Sequence, residues 1–476
     1  MSERTAGETD VVVVGAGPAG MAAATRAASL GLRVRVVDEQ QSPGGQVHRG
    51  VTRVDEGVGP RFGDEHLRGR ELVRALHAST ATVEPGATVF DGDPELGVAV
   101  LRDGIAHEIR ARHLIVATGA IERAVPFPGW TLPGVMNAGA AQVLLETSAC
   151  VPSGRVVLAG CGPLLLLVAS QLADAGANVV AVVETTGAID HARALTELPR
   201  ALATPATFAR GLAWLRALRR HGVERIGGIR SLAAEGAGRV ERVLVGVGDR
   251  TREIAVDTLL VHAGVVPNPQ LARLMRLEHR WDERALAWRP RVDAFGRSSD
   301  PRVSVAGDGA GIGGARAAET DGAIAAIDAA HALGAIDARV RARLCAPLLR
   351  ERRRHLAVRP WLDALYRPPG WLVDPPDAAI VCRCEDVTAG EIRSVARLGV
   401  RGPNQAKAYT RCGMGPCQGR VCGTVVTTIL ARAAGVAPAA VGYYRIRPPL
   451  VPVPLAALAR MPGGGNRRDE RTGGAM

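Results

Sequence analysis

The sequence predicts an α/β protein built on two doubly wound nucleotide-binding domains, followed by a small C-terminal cysteine module. Three observations carry that expectation. A strand, a glycine turn, a helix and a second strand follow one another from Val11. The same plan recurs about 145 residues later, and five of the eight cysteines crowd between Cys382 and Cys422.

A chain of 476 residues is too long for one core, so two to four domains are expected. With 47% hydrophobic residues and both charge signs present the chain is globular, and with only 3% aromatics its layers must pack through Ala, Gly and Val. The net charge of +12 is almost wholly arginine, since Lys407 is the only lysine. These arginines are scattered, with modest clusters at 216–220 and 350–354, which argues against a phosphate-binding stripe and hence against nucleic acid. A positive face for an acidic partner stays open.

Met1–Asp10 is polar and no leader is expected there. The longest apolar run, Leu164–Ala169, falls well short of the ~20 residues of a membrane span. The cysteine asymmetry reads as a metal site in a reducing compartment. The cytoplasm is the expected location, and peripheral membrane association is compatible with it.

Taken in order, Val11–Val14 is a buried strand, Gly15–Gly20 a turn, Met21–Leu30 an alanine-rich helix and Arg33–Val37 a second strand. The repeat runs through Arg155–Ala159, Gly160–Leu165, Leu166–Ala175 and Asn178–Val183. Between them, Leu114–Ala117 is a strand ending at Thr118-Gly119, and Pro126, Pro128 and Pro133 mark a crossing between domains. Thr258–Ala263 and Arg302–Ala306 repeat the strand-then-glycine pattern. The expected divisions are 1–128 (first domain), 129–263 (second domain), 264–332 (return to the first), 333–377 (an Arg/Pro-rich surface connector), 378–435 (cysteine module) and 436–476 (tail, disordered from Gly463).

Gly15-Ala16-Gly17-Pro18-Ala19-Gly20 fits the Rossmann-like G-x-G-x-x-G pattern between a strand and a helix. Gly15 allows the tight turn, Gly17 the approach of a pyrophosphate, and Gly20 close helix–strand packing, with the helix N-terminus facing the phosphate. Asp38, 18 residues after Gly20, is placed for an adenosine ribose, with Glu39 the fallback. Gly45 and Gln46 offer backbone near the cofactor, Thr118 and Gly119 end a later strand, and Gly307 and Asp308 supply a carboxylate for a ribityl hydroxyl. This ordered set resembles the two-dinucleotide-domain flavoproteins, and that resemblance implies FAD here.

Gly160-Cys161-Gly162-Pro163-Leu164-Leu165 is a second fingerprint with Leu165 at the third glycine position. A leucine there should hold the helix off the strand. Glu184 follows the next strand and suits a ribose. NAD or another adenine nucleotide is one reading, and a retained fold with an empty or differently occupied crevice is the other; Glu184 disfavours a 2′-phosphate. No C-x-x-C or C-x4-C lies near the first domain, so a disulfide-reductase pair is lacking. Cys150, Cys161 and Cys345 read as structural. His48 and His262 could approach a flavin, although a lone histidine more often packs.

Cys382-Arg383-Cys384 and, after 27 intervening residues, Cys412 and Cys417 supply four thiolates, enough for two irons with bridging sulfides. Zinc is the competitor, but C-x-C is less usual for it than C-x2-C, and a neighbouring redox domain favours [2Fe–2S]. Cys422 is the alternative to Cys417.

Beyond these motifs the chain resembles the α (A-type) subunits of opine oxidases, D-hydroxyproline dehydrogenases and hydrogen cyanide synthase, with a C-terminal helical, BFD-like [2Fe–2S] domain. The matching segments include Asp38-Glu39-Gln40, Ala117-Thr118-Gly119-Ala120 with Glu122-Arg123, Pro126-Phe127-Pro128-Gly129-Trp130, Val265-Val266-Pro267-Asn268 and Ala306-Gly307-Asp308-Gly309. The resemblance makes Leu165 a family feature. It implies a partner, an FAD-bearing amine- or amino-acid-oxidising subunit that forms an imine; a small ferredoxin-like subunit is a further candidate. This chain would then pass electrons onward, and no catalytic acid or base is assigned to it. Two alternatives are a stand-alone NADH:acceptor reductase and an iron–sulfur module with an inactive flavoprotein part.

Overall fold

The computed structural model describes residues 9–53, 63–95 and 97–461. Thr9–Val14 is buried at every position, as a β-branched run covered on both faces should be. It is the middle strand of an all-parallel sheet ordered Val303–Val305, Ala111–Val116, Thr9–Val14, Val34–Asp38, Thr82–Pro85. The outer strand Val303–Val305 comes from the return segment, after the chain has passed through the second domain. Helices Pro18–Ser29 and Ala315–Ala332 lie on this sheet, and Ala23, Ala24 and Ala27 share a core with Ala325, Ala326 and Ala329. Small residues, in place of aromatics, set that close approach.

The second domain repeats the plan with strands ordered Glu224–Ile226, Asn178–Glu184, Arg155–Cys161, Thr258–Ala263, Val135–Asn137, again all parallel. Both helices after the glycine turns begin earlier than predicted, at Pro18 and Pro163, because a proline at the first helical position needs no N–H partner. The two crossings between domains are tied by antiparallel pairing of Ala120–Glu122 with Val265–Pro267.

The connector is helical. Ala338–Leu356 is capped by Asp337, whose carboxylate accepts from the Val340 N–H at 2.7 Å, and it buries Cys345. After Arg359–Leu365 the chain lays Tyr366 and Trp371 on the second domain's core. The cysteine module consists of a small ladder, Ile380–Cys382 with Val387–Thr388, and helices Ala389–Arg397, Pro403–Thr410 and Gly423–Ala434. A reciprocal Thr388–Glu391 capping box starts the first of these helices. Its core is continuous with Leu271, Trp281 and Trp288, and Arg273 stacks between the rings of Trp288 (4.8 Å) and Tyr443 (4.6 Å). The tail returns to the first domain, where the Leu450 N–H donates to the Phe90 carbonyl at 2.7 Å. The predicted disorder from Gly463 falls outside the described residues. Among the described residues no helix is long and apolar enough to cross a membrane.

Candidate functional site

The first glycine turn is shaped for a ligand's backbone approach. Gly15 has φ +103°, and a Cβ there would lie 2.5 Å from the Ala117 carbonyl oxygen. Gly17 caps helix Pro18–Ser29 without a side chain, and Gly45 sits directly against Gly17. The Asp38 carboxylate accepts from the Ala16 N–H (2.5 Å) and the Gln40 N–H (2.7 Å), so it braces the turn as well as facing the crevice. Burial raises its pKa, against the pull of those two N–H groups. Glu39 is exposed beside it.

Thr118 Oγ1 is buried without a hydrogen-bond partner, a donor–acceptor awaiting a ligand group. Asp308 takes the Gly313 and Gly314 N–H groups on Oδ1 (2.7 and 3.0 Å), leaving Oδ2 without a partner among the described residues. Burial raises its pKa too. A cavity of about 1590 Å³ brings Gly15, Gly17, Pro18, Ala19, Asp38, Glu39, Gly45, Gln46, Thr118, Gly119 and Asp308 onto one wall. Gly307 packs behind it against Ala19 and Ala318. A glycine cradle, an orphaned hydroxyl and a half-used carboxylate fit a dinucleotide such as FAD.

The same cavity reaches the second turn at Gly162 and Pro163. Gly160, with φ +133°, is the penultimate residue of strand Arg155–Cys161 and packs against the His262 backbone. Leu165 is fully buried among Leu158, Val168 and Leu260. Glu184 is not idle: its Oε2 accepts from Arg225 Nε at 3.1 Å and from the terminal nitrogen at 2.5 Å. Cys161 is buried with its thiol pushed up to about 11 by desolvation, and it lies 3.7 Å from the Tyr366 carbonyl oxygen. That is a packing role. His48 is likewise buried, held down to about pKa 4 by desolvation and wedged between Gly44 and Gly69. His262, in contrast, lines the cavity and is bonded to Glu122.

In the cysteine module the sulfurs of Cys382, Cys412 and Cys422 lie within 4.8 Å of one another, all buried. Hydrogen bonds from the Cys412 and Cys422 thiols hold the Cys382 thiol far below its usual range. Cys384 is exposed and lies beside Cys417. The geometry therefore brings Cys422 to the expected pair Cys382 and Cys412, while Cys417 stands off with Cys384. Gly413 and Gly419 both face the Tyr444 ring, which accounts for two glycines of this loop. Arg420, between Cys417 and Cys422, lines the large cavity. Sequence reasoning missed Arg225, Glu122 and Tyr366, and only the acid before Arg123 offered any signal.

Fold and cavity define a flavoprotein-type oxidoreductase with two dinucleotide domains. The chain belongs to the pyridine nucleotide-disulphide oxidoreductase family, whose model matches residues 9–334, and a sarcosine oxidase A3 domain model matches residues 377–461. It is 41% identical over 463 residues to the A-type subunit of opine oxidase from Agrobacterium tumefaciens (strain Ach5), covering 95% of this chain and 92% of that one. It is 34% identical to the HcnB subunit of hydrogen cyanide synthase from Pseudomonas aeruginosa, covering 94% and 98%. Among solved structures it is similar to L-proline dehydrogenase from P. horikoshii, with a TM-score of 0.70 at 21% identity over 95% of this chain and 79% of that one. That last likeness is one of fold.

Proposed function

We propose that this chain is the FAD- and [2Fe–2S]-containing electron-transfer subunit of a multisubunit amine or imino-acid dehydrogenase, of the opine, D-hydroxyproline or glycine type. The observation that carries the reading is the single cavity whose wall runs from Gly15, Gly17 and Thr118 to Arg420 in the cysteine loop. A two-electron carrier bound at the first turn would lie on a cavity that the cysteine loop reaches through Arg420, with a one-electron carrier held by the cysteines behind that residue. The kinship with the opine oxidase A-type subunits and HcnB supports a partner that oxidises the C–N bond.

The sulfur geometry favours Cys422 over Cys417 as the ligand beside Cys382 and Cys412. Cys384, two residues from Cys382 and exposed, is taken as the fourth ligand. The second crevice is read as an adenine-nucleotide site whose ribose acid, Glu184, is shared with Arg225. The partner is an FAD-bearing amine-oxidising subunit; a small ferredoxin-like subunit is a further candidate. Co-purification with the partner tests the reading. Oxidation of an opine or hydroxyproline should need both proteins, with the flavin of this chain reduced during turnover. Rapid NADH oxidation by this chain alone would instead make it a stand-alone reductase.

A further inference from the structure

His262 is the penultimate residue of strand Thr258–Ala263, beside the second glycine turn and paired in register with Gly160. Its Nδ1 donates to Glu122 Oε1 at 2.5 Å. The other Glu122 oxygen accepts from the Gly139 N–H at 3.0 Å, in the first turn of helix Ala138–Ser148, where negative charge is favoured. The imidazole is thus oriented and offered a counter-charge. Its other nitrogen, Nε2, takes no hydrogen-bond partner among the described residues. The side chain is 3% exposed, and a Cβ placed on Gly162 would lie 3.3 Å from Nε2. A ring nitrogen of a nearly buried side chain that lines the cavity therefore lies against the turn that opens the 12-residue helix Pro163–Asp174.

We infer that Glu122 and His262 form a proton-bearing pair that reads the pyrophosphate of a nucleotide in the second crevice. The inference rests on the reading of that crevice as a nucleotide site. With Nδ1–H committed to Glu122, neutral His262 presents a lone pair at Nε2 and repels a phosphate oxygen. Protonated His262 presents an N–H and a positive charge, the complement of the ligand. On binding, His262 takes up one proton from solvent, no covalent bond to the ligand is made or broken, and binding weakens as pH rises.

Of the groups packed near the pair, Cys161 and Tyr366 do not titrate in the neutral range, whereas Glu146 on the same cavity, raised to about 8 by desolvation, does. Cys161, on the adjoining strand, is pushed up to about 11, and Tyr366, from the connector, to about 12. Arg123 stays cationic, its N–H groups spent on the carbonyls of Ala263, Ala285 and Leu286. Arg284, His355, Arg359 and Asp363 line other stretches of the cavity, as do His66 and Glu146, so variants of the pair are needed to isolate it.

The test is calorimetric titration of the FAD-saturated full chain with ADP-ribose, whose pyrophosphate does not titrate in the neutral range. The intact chain should bind about tenfold more tightly at about pH 6 than at about pH 8.5. His262→Gln should lose most of that pH dependence, keeping only the part that Glu146 contributes, and Glu122→Gln should move the response to lower pH; retained FAD absorbance shows that each has folded. Equal pH dependence in His262→Gln and the intact chain, or none in the intact chain, would overturn the inference. Absence of ADP-ribose binding at both pH values would remove the nucleotide reading of the crevice, and this pair's role with it.

Discussion

Glu146→Gln makes a pH-dependent stability difference that can be worked from the structure. Glu146 lies on helix Ala138–Ser148 and reaches His66 of the first domain, with Oε1 3.6 Å from Nδ1 and both side chains under 5% exposed. Oε2 is buried with no hydrogen-bond partner. Desolvation lifts the carboxyl from 4.5 to about 8, opposed by the positive charge of Arg49. The same effect lowers the pKa of His66, so the contact is neutral at pH 7.

A raised folded-state pKa contributes stability that is complete below the unfolded value and lost as pH rises toward the folded one. The gap between the two values, at about 1.4 kcal/mol per pH unit, puts the loss on the order of 5 kcal/mol between about pH 4.5 and about pH 8. At roughly 2 °C per kcal/mol this is about 10 °C in Tm. The glutamine side chain does not titrate. The Tm of Glu146→Gln relative to the unsubstituted chain should therefore climb across that window and level off above it. Melting curves at half-unit pH steps, with FAD in excess, read this directly. Parallel Tm profiles for the two proteins would show that Glu146 is not held neutral at the domain boundary.

Gly15→Ala, forced to φ +103° with its methyl against the Ala117 carbonyl, should cost about 2 kcal/mol or more and release FAD, read as flavin lost on gel filtration. Thr118→Val removes the orphaned hydroxyl, and FAD should bind about tenfold more weakly by fluorescence titration if that hydroxyl meets the cofactor; unchanged affinity would release Thr118 from the site. Cys422→Ser should abolish acid-labile sulfide while FAD stays bound, whereas Cys417→Ser should retain the cluster. The reverse pattern would restore Cys417 as the ligand.

What could be read in the sequence was whatever its chemistry keeps local. The first fingerprint, Asp38 after its strand and the Thr118-Gly119 strand end each lie at a fixed distance from an element boundary, so pattern alone located them. The doubled strand–turn–helix plan was legible for the same reason. The contacts that change the chemistry are of another kind. Glu184 meets Arg225 across 41 residues through the register of a parallel sheet, and Glu122 meets His262 across 140 where the antiparallel crossing pair abuts that sheet, neither of which a local pattern encodes. The cysteine ligands fall between these cases. Spacing marked the module, but the path of the loop from Cys412 to Cys422 decides which sulfur turns inward, and Tyr444 packing on Gly413 and Gly419 shapes that path. Leu165 looked like a fault because a third glycine was expected, yet its side chain goes wholly into the core beside Leu158 and Leu260.

The central claim, that one chain holds a flavin and an iron–sulfur cluster in electronic contact, is tested most directly by anaerobic reduction of the purified chain. Flavin absorbance and low-temperature EPR would be followed together. The expected result is two irons and two sulfides for each FAD, bleaching of the flavin, and a reduced [2Fe–2S] signal that disappears in Cys422→Ser. Zinc in place of iron, or a flavin that bleaches with no electron reaching a cluster, would contradict it.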